Sequence, residues 1–518
     1  MKKLKDVPSN SAAHPSHSLQ DVLGFRFITY LIIIQLFGKG LLYGIVGSLV
    51  LPLYQLIGID GVSYQLYATI AEIPWSLKPI FGVLSDLLVI GHYNKRYWLV
   101  LGNFIGSSFA LLLAIFLNLK NSVFICFCFF AMELQIALQD LMTEAKYAEI
   151  MRDNPESGSS IVSFVNALNS MGTLISVIIV GILADKDSFN DYTILLYVCF
   201  GISLLPVIPT LLGWLPEVRV NKCLGKTQKE DEEEVDILIN EISNDNPTNK
   251  SNTLRYALVF STGLISIVIA IVFVFSTLAV AIITSVSLII ALLVSYKAFG
   301  KLITNAILYR CLTYLTYWGL SGALGYFYTS SCVKDGPHFS YEYYITWTGV
   351  IGAVMSFLGA SIYQFVFGKT RIRSALIITI VLSMVFSFFD VIIAKRWNLV
   401  IGIPDKWAYM FGDAICYNLI DMLNYIPLMT LISKICPKKL ETTTYAFVSG
   451  ISNLARILSY IIGAYATDWF KIQTVIPCNF DNLWILVLIG HISLSLLVLI
   501  PATFILIPNI LPTDDIEK

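Results

Sequence analysis

The chain has 518 residues, 56% of them hydrophobic and only 13% charged, with a mean hydropathy of +0.74. A soluble protein carries about 25% charge, so this composition excludes a soluble globular enzyme and points to a polytopic membrane protein. The formal net charge of −1 gives no reason to expect a nucleic-acid partner.

In chain order, residues 1–27 read as a cytosolic tail, because the segment is polar at its start, carries Lys2, Lys3 and Lys5, and lacks the apolar core of a signal peptide. Apolar helical candidates follow at 28–55, 62–89, 97–117, 122–146, 159–183 and 191–214, which group as a first six-helix bundle over 28–214. Residues 215–254 are polar and contain the acidic run Glu230-Asp231-Glu232-Glu233-Glu234. That composition cannot bury a core and predicts a solvated cytosolic linker. The stretch from Tyr256 to Tyr296 carries no charge, and at ~1.5 Å per residue it would extend for about twice the bilayer core. Two spans joined by a tight turn near Ser276 fit it best, as an extra hairpin over 255–299. Candidates at 303–329, 342–368, 374–394, 407–434, 442–467 and 483–508 form a second bundle over 300–510, and 511–518 is a short tail.

Lysine and arginine positions support this even count, since cytosolic loops are enriched in them. With about 14 spans and both termini inside, most basic residues fall on the cytosolic side. Outside lie Lys120, Lys186, Lys334, Lys395, Arg396, Lys406 and Lys471. The expected fold class is therefore all-α, with six plus six helices around a cytosolic linker, the layout of transporters that rock two pseudo-symmetric halves about a midplane site.

The second span ends in Pro74-Trp75-Ser76-Leu77-Lys78-Pro79-Ile80-Phe81-Gly82-Val83-Leu84-Ser85-Asp86, followed by Gly91, Lys95 and Arg96. Each proline removes a backbone donor and bends the helix, while Asp86 and the basic pair place charge at the cytosolic lip. In the fourth span stands Ala137-Leu138-Gln139-Asp140-Leu141-Met142-Thr143-Glu144-Ala145, continuing through Ala148-Glu149 and Arg152. Late in the chain come Gly412-Asp413, Ile435-Cys436-Pro437, Glu441-Thr442-Thr443, Ala446-Phe447, Ser452-Asn453-Leu454 and Asp481-Asn482-Leu483-Trp484. These stretches, in this order, resemble the folate-biopterin transporter family of the major facilitator superfamily. The likeness covers roughly 28–214 and 300–510 and omits the tails, linker and hairpin. Two positions depart from the family pattern: Glu144 stands where many relatives have a second aspartate, and Ala455-Arg456 follows Ser-Asn-Leu where many have glycine. The resemblance implies secondary active transport of folate, biopterin or a related pteridine by alternating access.

A charge at mid-bilayer costs about 2.5–3.5 kcal/mol even on the lenient insertion scale, so each one is expected to meet a partner or water. Lys39, Glu72, Lys78, Glu133, Asp140 and Glu144 lie within the first bundle, and Arg310, Asp390, Asp413, Asp421 and Arg456 within the second. Spacings of seven and four put Glu133, Asp140 and Glu144 near one helical face, expected to look into the cavity. Glu72 and Lys78, six apart, point in different directions, and each needs a partner from another helix.

A pterin ring offers adjacent N–H donors that a carboxylate can grip and a flat face on which an aromatic ring can stack. The candidates for the grip are Glu133 and Asp140. Those for stacking are Trp75, Tyr314 and Trp318, the last two being four apart on one helix. An anionic glutamate tail would find its counter-charge in Lys39, Lys78, Arg310 or Arg456. Glu72, Asp86, Glu144 and Asp413 are candidates for gating or for carrying a coupling proton, since desolvation favours the neutral form of a carboxylate. The alternative is that such charges form fixed pairs between helices.

Other signals are weak. The nine cysteines show no metal-ligand spacing, although Cys332 and Cys478 both fall in expected outer loops and are candidates for a disulfide. No nucleotide-binding loop or nucleophile elbow occurs, so neither a cofactor nor ATP-driven pumping is expected, and the chain is read as a transporter and not an enzyme. The expected partners are the substrate, protons and the lipid bilayer, with the chain acting as a monomer, by default in the plasma membrane, with an organellar membrane as the alternative. Two other readings fit the same residues: a carrier of S-adenosylmethionine or an amino acid, and a non-transporting nutrient receptor or membrane-embedded enzyme.

Overall fold

The computed structural model describes residues 19–153, 158–185, 189–217, 219, 247–273, 276–333, 336–367, 369–435 and 441–511. The terminal tails, the acidic run of the linker, Cys436-Pro437 and the side chains of Asp86, Arg152 and Glu441 lie outside what it describes. Among the described residues eleven helices are long and apolar enough to cross a membrane. In chain order with their companions, these are α1 (Phe25–Leu56), α3 (Arg96–Leu119), α4 (Ser122–Met151), α5 (Ser160–Ala184) and α6 (Phe189–Leu211), then α8 (Thr277–Phe299), α10 (Glu342–Phe367), α11 (Ile372–Ala394), α12 (Asp405–Ile432), α13 (Phe447–Trp469) and α14 (Leu483–Leu506). Between them stand the shorter apolar helix α7 (Ala257–Phe273) and two interrupted helices, α2 over 61–87 and α9 over 301–329. The uncharged stretch from Tyr256 to Tyr296 divides at Ser276, whose hydroxyl accepts from the Ala279 amide and starts α8.

Both interruptions have identifiable causes. In α2, regular helix stops at Ala71, a tight turn spans Ile73–Leu77, and helix resumes at Lys78. Pro74 and Pro79 stand at the starts of the two later pieces, where a missing N–H costs least. In α9, helix ends at Leu315 and restarts at Ser321. Sequence periodicity predicts one continuous helix over 303–329, with Tyr314 and Trp318 on one face; that expectation is corrected here. The opened backbone of Tyr317-Trp318-Gly319 is held by side chains and backbone from α13 and α14. Trp318 N donates to Gly490 O at 3.1 Å, Gly319 N donates to Ser459 Oγ at 3.2 Å, and Ser459 Oγ donates to Tyr317 O at 3.0 Å. Freed backbone groups at membrane depth are tolerated where neighbouring helices satisfy them in this way.

Wide π-helical turns occur at Ile32–Leu42 in α1, Met410–Tyr417 in α12 and Leu488–Ser493 in α14. They carry Lys39, Asp413 and His491 respectively. Such turns recur where a helix redirects a functional side chain.

Helices α1–α6 pack on one another, as do α9–α14, and the two halves meet where α2 lies against α13 and α9 and where α5 lies against α10. The α7–α8 pair runs along the α2/α13 seam, with α7 touching both and α8 touching α13 and α9. At the end reached by the C-terminus of α1, the seam closes through glycines. A Cβ on Gly322 of α9 would lie 2.0 Å from Gly61 O of α2, and within the second half one on Gly463 of α13 would lie 1.9 Å from Gly319 O. The Gln65 amide donates to Gly319 O at 2.7 Å and Tyr460 O at 2.6 Å, while its oxygen accepts from Gly322 N at 2.9 Å. One side chain of α2 thus fastens α9 and α13. A disulfide joins Cys332 to Cys478 at the same end, with a Cα–Cα separation of 6.0 Å.

Candidate functional site

The charges within the membrane helices fall into three groups. In the first half, Asp140 of α4 lies 2.7 Å from Lys39 Nζ of α1 and 2.5 Å from Lys78 Nζ of α2. Its carboxylate is 4% exposed, whereas the lysine side chains are 24% and 17% exposed, so the triad reaches from the packed interior to accessible space. Lys78 also sits 4.3 Å over the Trp75 ring. Trp75 in turn donates from Nε1 to Glu133 Oε2 at 2.8 Å, and Tyr43 meets its edge with centroids 5.3 Å apart. Glu133 and Asp140 are both buried, as their shared face predicts, but Glu144 is exposed one turn further on, so the three carboxylates do not share one environment.

The second group crosses between the halves. Arg456 Nη2 of α13 lies 3.0 Å from Glu72 Oε2 of α2. Glu72 and Lys78 therefore each find a partner on a different helix, in different halves of the molecule.

The third group lines a cavity of about 310 Å³ in the second half. Tyr314, Trp318, Asp413 and Arg456 are brought together there, along with Asp390, Tyr328, Tyr409 and His491. The volume is at the lower end of the ~300–1,000 Å³ typical of small-molecule sites. Tyr314 and Trp318 reach this space through the break in α9, not through a shared helical face. Arg310 faces a neighbouring cavity with Tyr314 and Asp421, and its guanidinium donates to the Tyr314 hydroxyl at 2.7 Å. Tyr328 donates to Asp390 Oδ1 at 2.5 Å, and the Tyr409 hydroxyl hydrogen-bonds Asp413. His491 stacks on Tyr317, with centroids 3.9 Å apart and planes at 7°.

Sequence reasoning selected Trp75, Glu133, Asp140, Lys39 and Lys78, and these form one network. In it, Asp140 is already held by two ammonium groups and Glu133 by an indole N–H. Asp390 stands among the charges within the spans without an assigned role, and His491 is not among the sequence candidates. Their common signal is polarity inside apolar runs; what joins them is the distant α9 break.

Among the described residues no group of three or more His, Cys, Asp or Glu side chains is arranged to hold a metal ion.

The helical order, the two halves and the spanning lengths define a multi-pass, all-α fold of the major-facilitator type. A bacterial homologue of human peptide transporters superposes with a TM-score of 0.61, covering 93% of this chain and 98% of its own, at 14% identity. A variant of the nucleoside transporter NupG superposes with a TM-score of 0.58, covering 93% of this chain and all of its own, at 12% identity. Residues 39–518 match the BT1 family model. The chain belongs to that family, the folate-biopterin transporters. It is 24% identical over 469 residues to "Probable folate-biopterin transporter 2" of Arabidopsis thaliana, covering 88% of this chain and 79% of the relative. It is 21% identical over 467 residues to "Folate-biopterin transporter" of Synechocystis sp., covering 89% and 76%.

Proposed function

We propose that this protein is a secondary active transporter that moves folate, biopterin or a related pteridine across a membrane by alternating access, coupled to protons. The names of the relatives support the substrate class. The observation that carries the mechanism is the Glu72–Arg456 pair, which joins α2 to α13 across the seam while Arg456 also lines the cavity. An anionic substrate group entering the cavity competes with Glu72 for the guanidinium, so binding and the release of a contact between the halves become one event. The glycine contact and Gln65 hold the seam shut at one end, and the bias of lysine and arginine toward the opposite loops supports reading that end as the one away from the cytosol.

Proton coupling falls to Glu133, which is buried and receives a hydrogen bond from Trp75. A carboxylate in that position can gain or lose a proton without breaking an ion pair, unlike Asp140.

The test is uptake of radiolabelled folate and biopterin into proteoliposomes with an inward proton gradient imposed or collapsed. Faster accumulation with the gradient is expected. Folate accumulation of equal rate and extent in both conditions removes the proton from the proposal, and no uptake of either compound, with S-adenosylmethionine or an amino acid accumulating instead, removes the substrate assignment.

A further inference from the structure

Two carboxylates and a histidine stand among the many hydroxyls that line the second-half cavity. Asp390 and Asp413 both line it, and among the described residues neither forms an ion pair with a lysine or arginine; the hydroxyls of Tyr328 and Tyr409 are their hydrogen-bond partners. An ionised carboxylate has about four acceptor positions, so each keeps capacity after one phenol. His491 adds an independent observation. Its Nε2 lies 3.0 Å from Trp318 O, a carbonyl that can only accept, so Nε2 carries the proton. In the neutral ring Nδ1 is then an acceptor. His491 is 4% exposed and lines the same cavity, and no protein donor reaches Nδ1 among the described residues. Leaving a buried polar atom without a partner is costly, and Nδ1 has no surface open to the cavity, so the cost is borne within its lining.

We propose that the substrate ring is held in the second-half cavity, with Asp390 and Asp413 taking hydrogen bonds from the amino and N–H edge of a planar heterocycle and His491 packed beside them. This deepens the transport reading above and rests on it. The carboxylates of the first half are poorer candidates, because Asp140 is neutralised by Lys39 and Lys78 and Glu133 is engaged by Trp75. The cavity is also polarised along its length. Arg456 of α13 lines the cavity together with Asp390 of α11 and Asp413 of α12, so the ring edge goes to the carboxylates and an anionic tail goes to the guanidinium. Tyrosine faces from Tyr344 and Tyr409 border the ring position.

The test is equilibrium binding to the purified full chain in nanodiscs with three probes: biopterin, a pteridine lacking the 2-amino group, and p-aminobenzoylglutamate, which has the anionic tail but no pteridine ring. D390N and D413N are each expected to weaken biopterin about 10-fold or more, in keeping with charge-assisted hydrogen bonds. They should change p-aminobenzoylglutamate less than 2-fold, which also certifies that the variants are folded. The desamino probe should bind the wild type weakly and lose little further in D413N. Should D390N or D413N bind neither probe, D390E and D413E replace them; recovery of biopterin binding supports the assignment, and its absence with p-aminobenzoylglutamate binding restored overturns it. Biopterin affinity within 2-fold of wild type in both variants, with E133Q losing it, overturns the inference and moves the ring to the first half. A wild-type chain that binds no pteridine overturns the transport reading itself, and with it this site.

Discussion

Arg456 and Glu72 face each other at 3.0 Å from opposite halves of the molecule, and their side chains are 27% and 35% exposed. The pair is therefore neither sealed in the core nor free on the surface. Removing one partner leaves the other as an uncompensated charge at membrane depth, which is more damaging than losing the contact alone. Arg456→Gln is expected to lower folate uptake about 10-fold or more, and the exchange Glu72→Arg with Arg456→Glu to recover part of it. Initial-rate uptake in vesicles checks this. Equal defects in the single and exchanged variants would show that position, not pairing, matters.

Asp140 is the common partner of Lys39 and Lys78. Asp140→Asn leaves two ammonium groups together with no counter-charge, so it should lower the thermal unfolding midpoint in detergent by more than Lys39→Met does. The double variant Lys39→Met, Asp140→Asn should be more stable than Asp140→Asn alone, because one uncompensated charge is gone. Coupling of this sign is expected of residues in one network; strictly additive shifts would contradict the triad.

The glycine crossing between α2 and α9 leaves no room for a methyl group. Gly322→Ala is expected to abolish net uptake while leaving expression and detergent-extracted yield near normal, since the clash arises only when that end of the seam is shut. Gln65→Ala should do the same more mildly, with a loss of about 3- to 10-fold, because it removes hydrogen bonds without adding bulk. Labelling of a cysteine introduced at Ser321 by a membrane-impermeant thiol reagent reads the opening directly. Labelling no faster in Gly322→Ala than in the parent would refute the crossing as a closure.

Cys332 and Cys478 are 146 residues apart in sequence. A cross-link closing a loop of that length is expected to contribute on the order of 2–5 kcal/mol by the chain-entropy model. Cys332→Ser, or treatment with a reductant, should lower the unfolding midpoint by several degrees and leave the first-half ion pairs intact. Intact-mass analysis before and after alkylation identifies the bridge.

Much of this architecture is legible in the chain. The run 97–117, uncharged throughout, and the run 374–394, in which Asp390 is the one charge, are both of spanning length, so α3 and α11 follow from composition alone. The need of Glu72 and Lys78 for separate partners follows from their six-residue spacing. What they pair with does not, because Asp140 and Arg456 are brought close only by packing among α1, α2, α4 and α13. The break in α9 was equally out of reach: Tyr317-Trp318-Gly319 contains no proline, and the groups that hold it open, Ser459, Gly490 and His491, lie more than a hundred positions later. The wide turns at Lys39 and Asp413 also shift side-chain register, which a fixed 3.6-residue period cannot anticipate.

The α7–α8 pair touches both sides of the seam through small residues. A Cβ on Gly263 would come within 2.6 Å of the Ile80 side chain, Gly450 lies against Pro79 and Thr262, and Ser266 donates to Ser76 O at 3.3 Å. Small residues let helix backbones approach one another this closely. If the two halves rock as proposed, this hairpin rides on both of them at close range, and a bulky residue at position 263 is expected to slow turnover without touching the cargo.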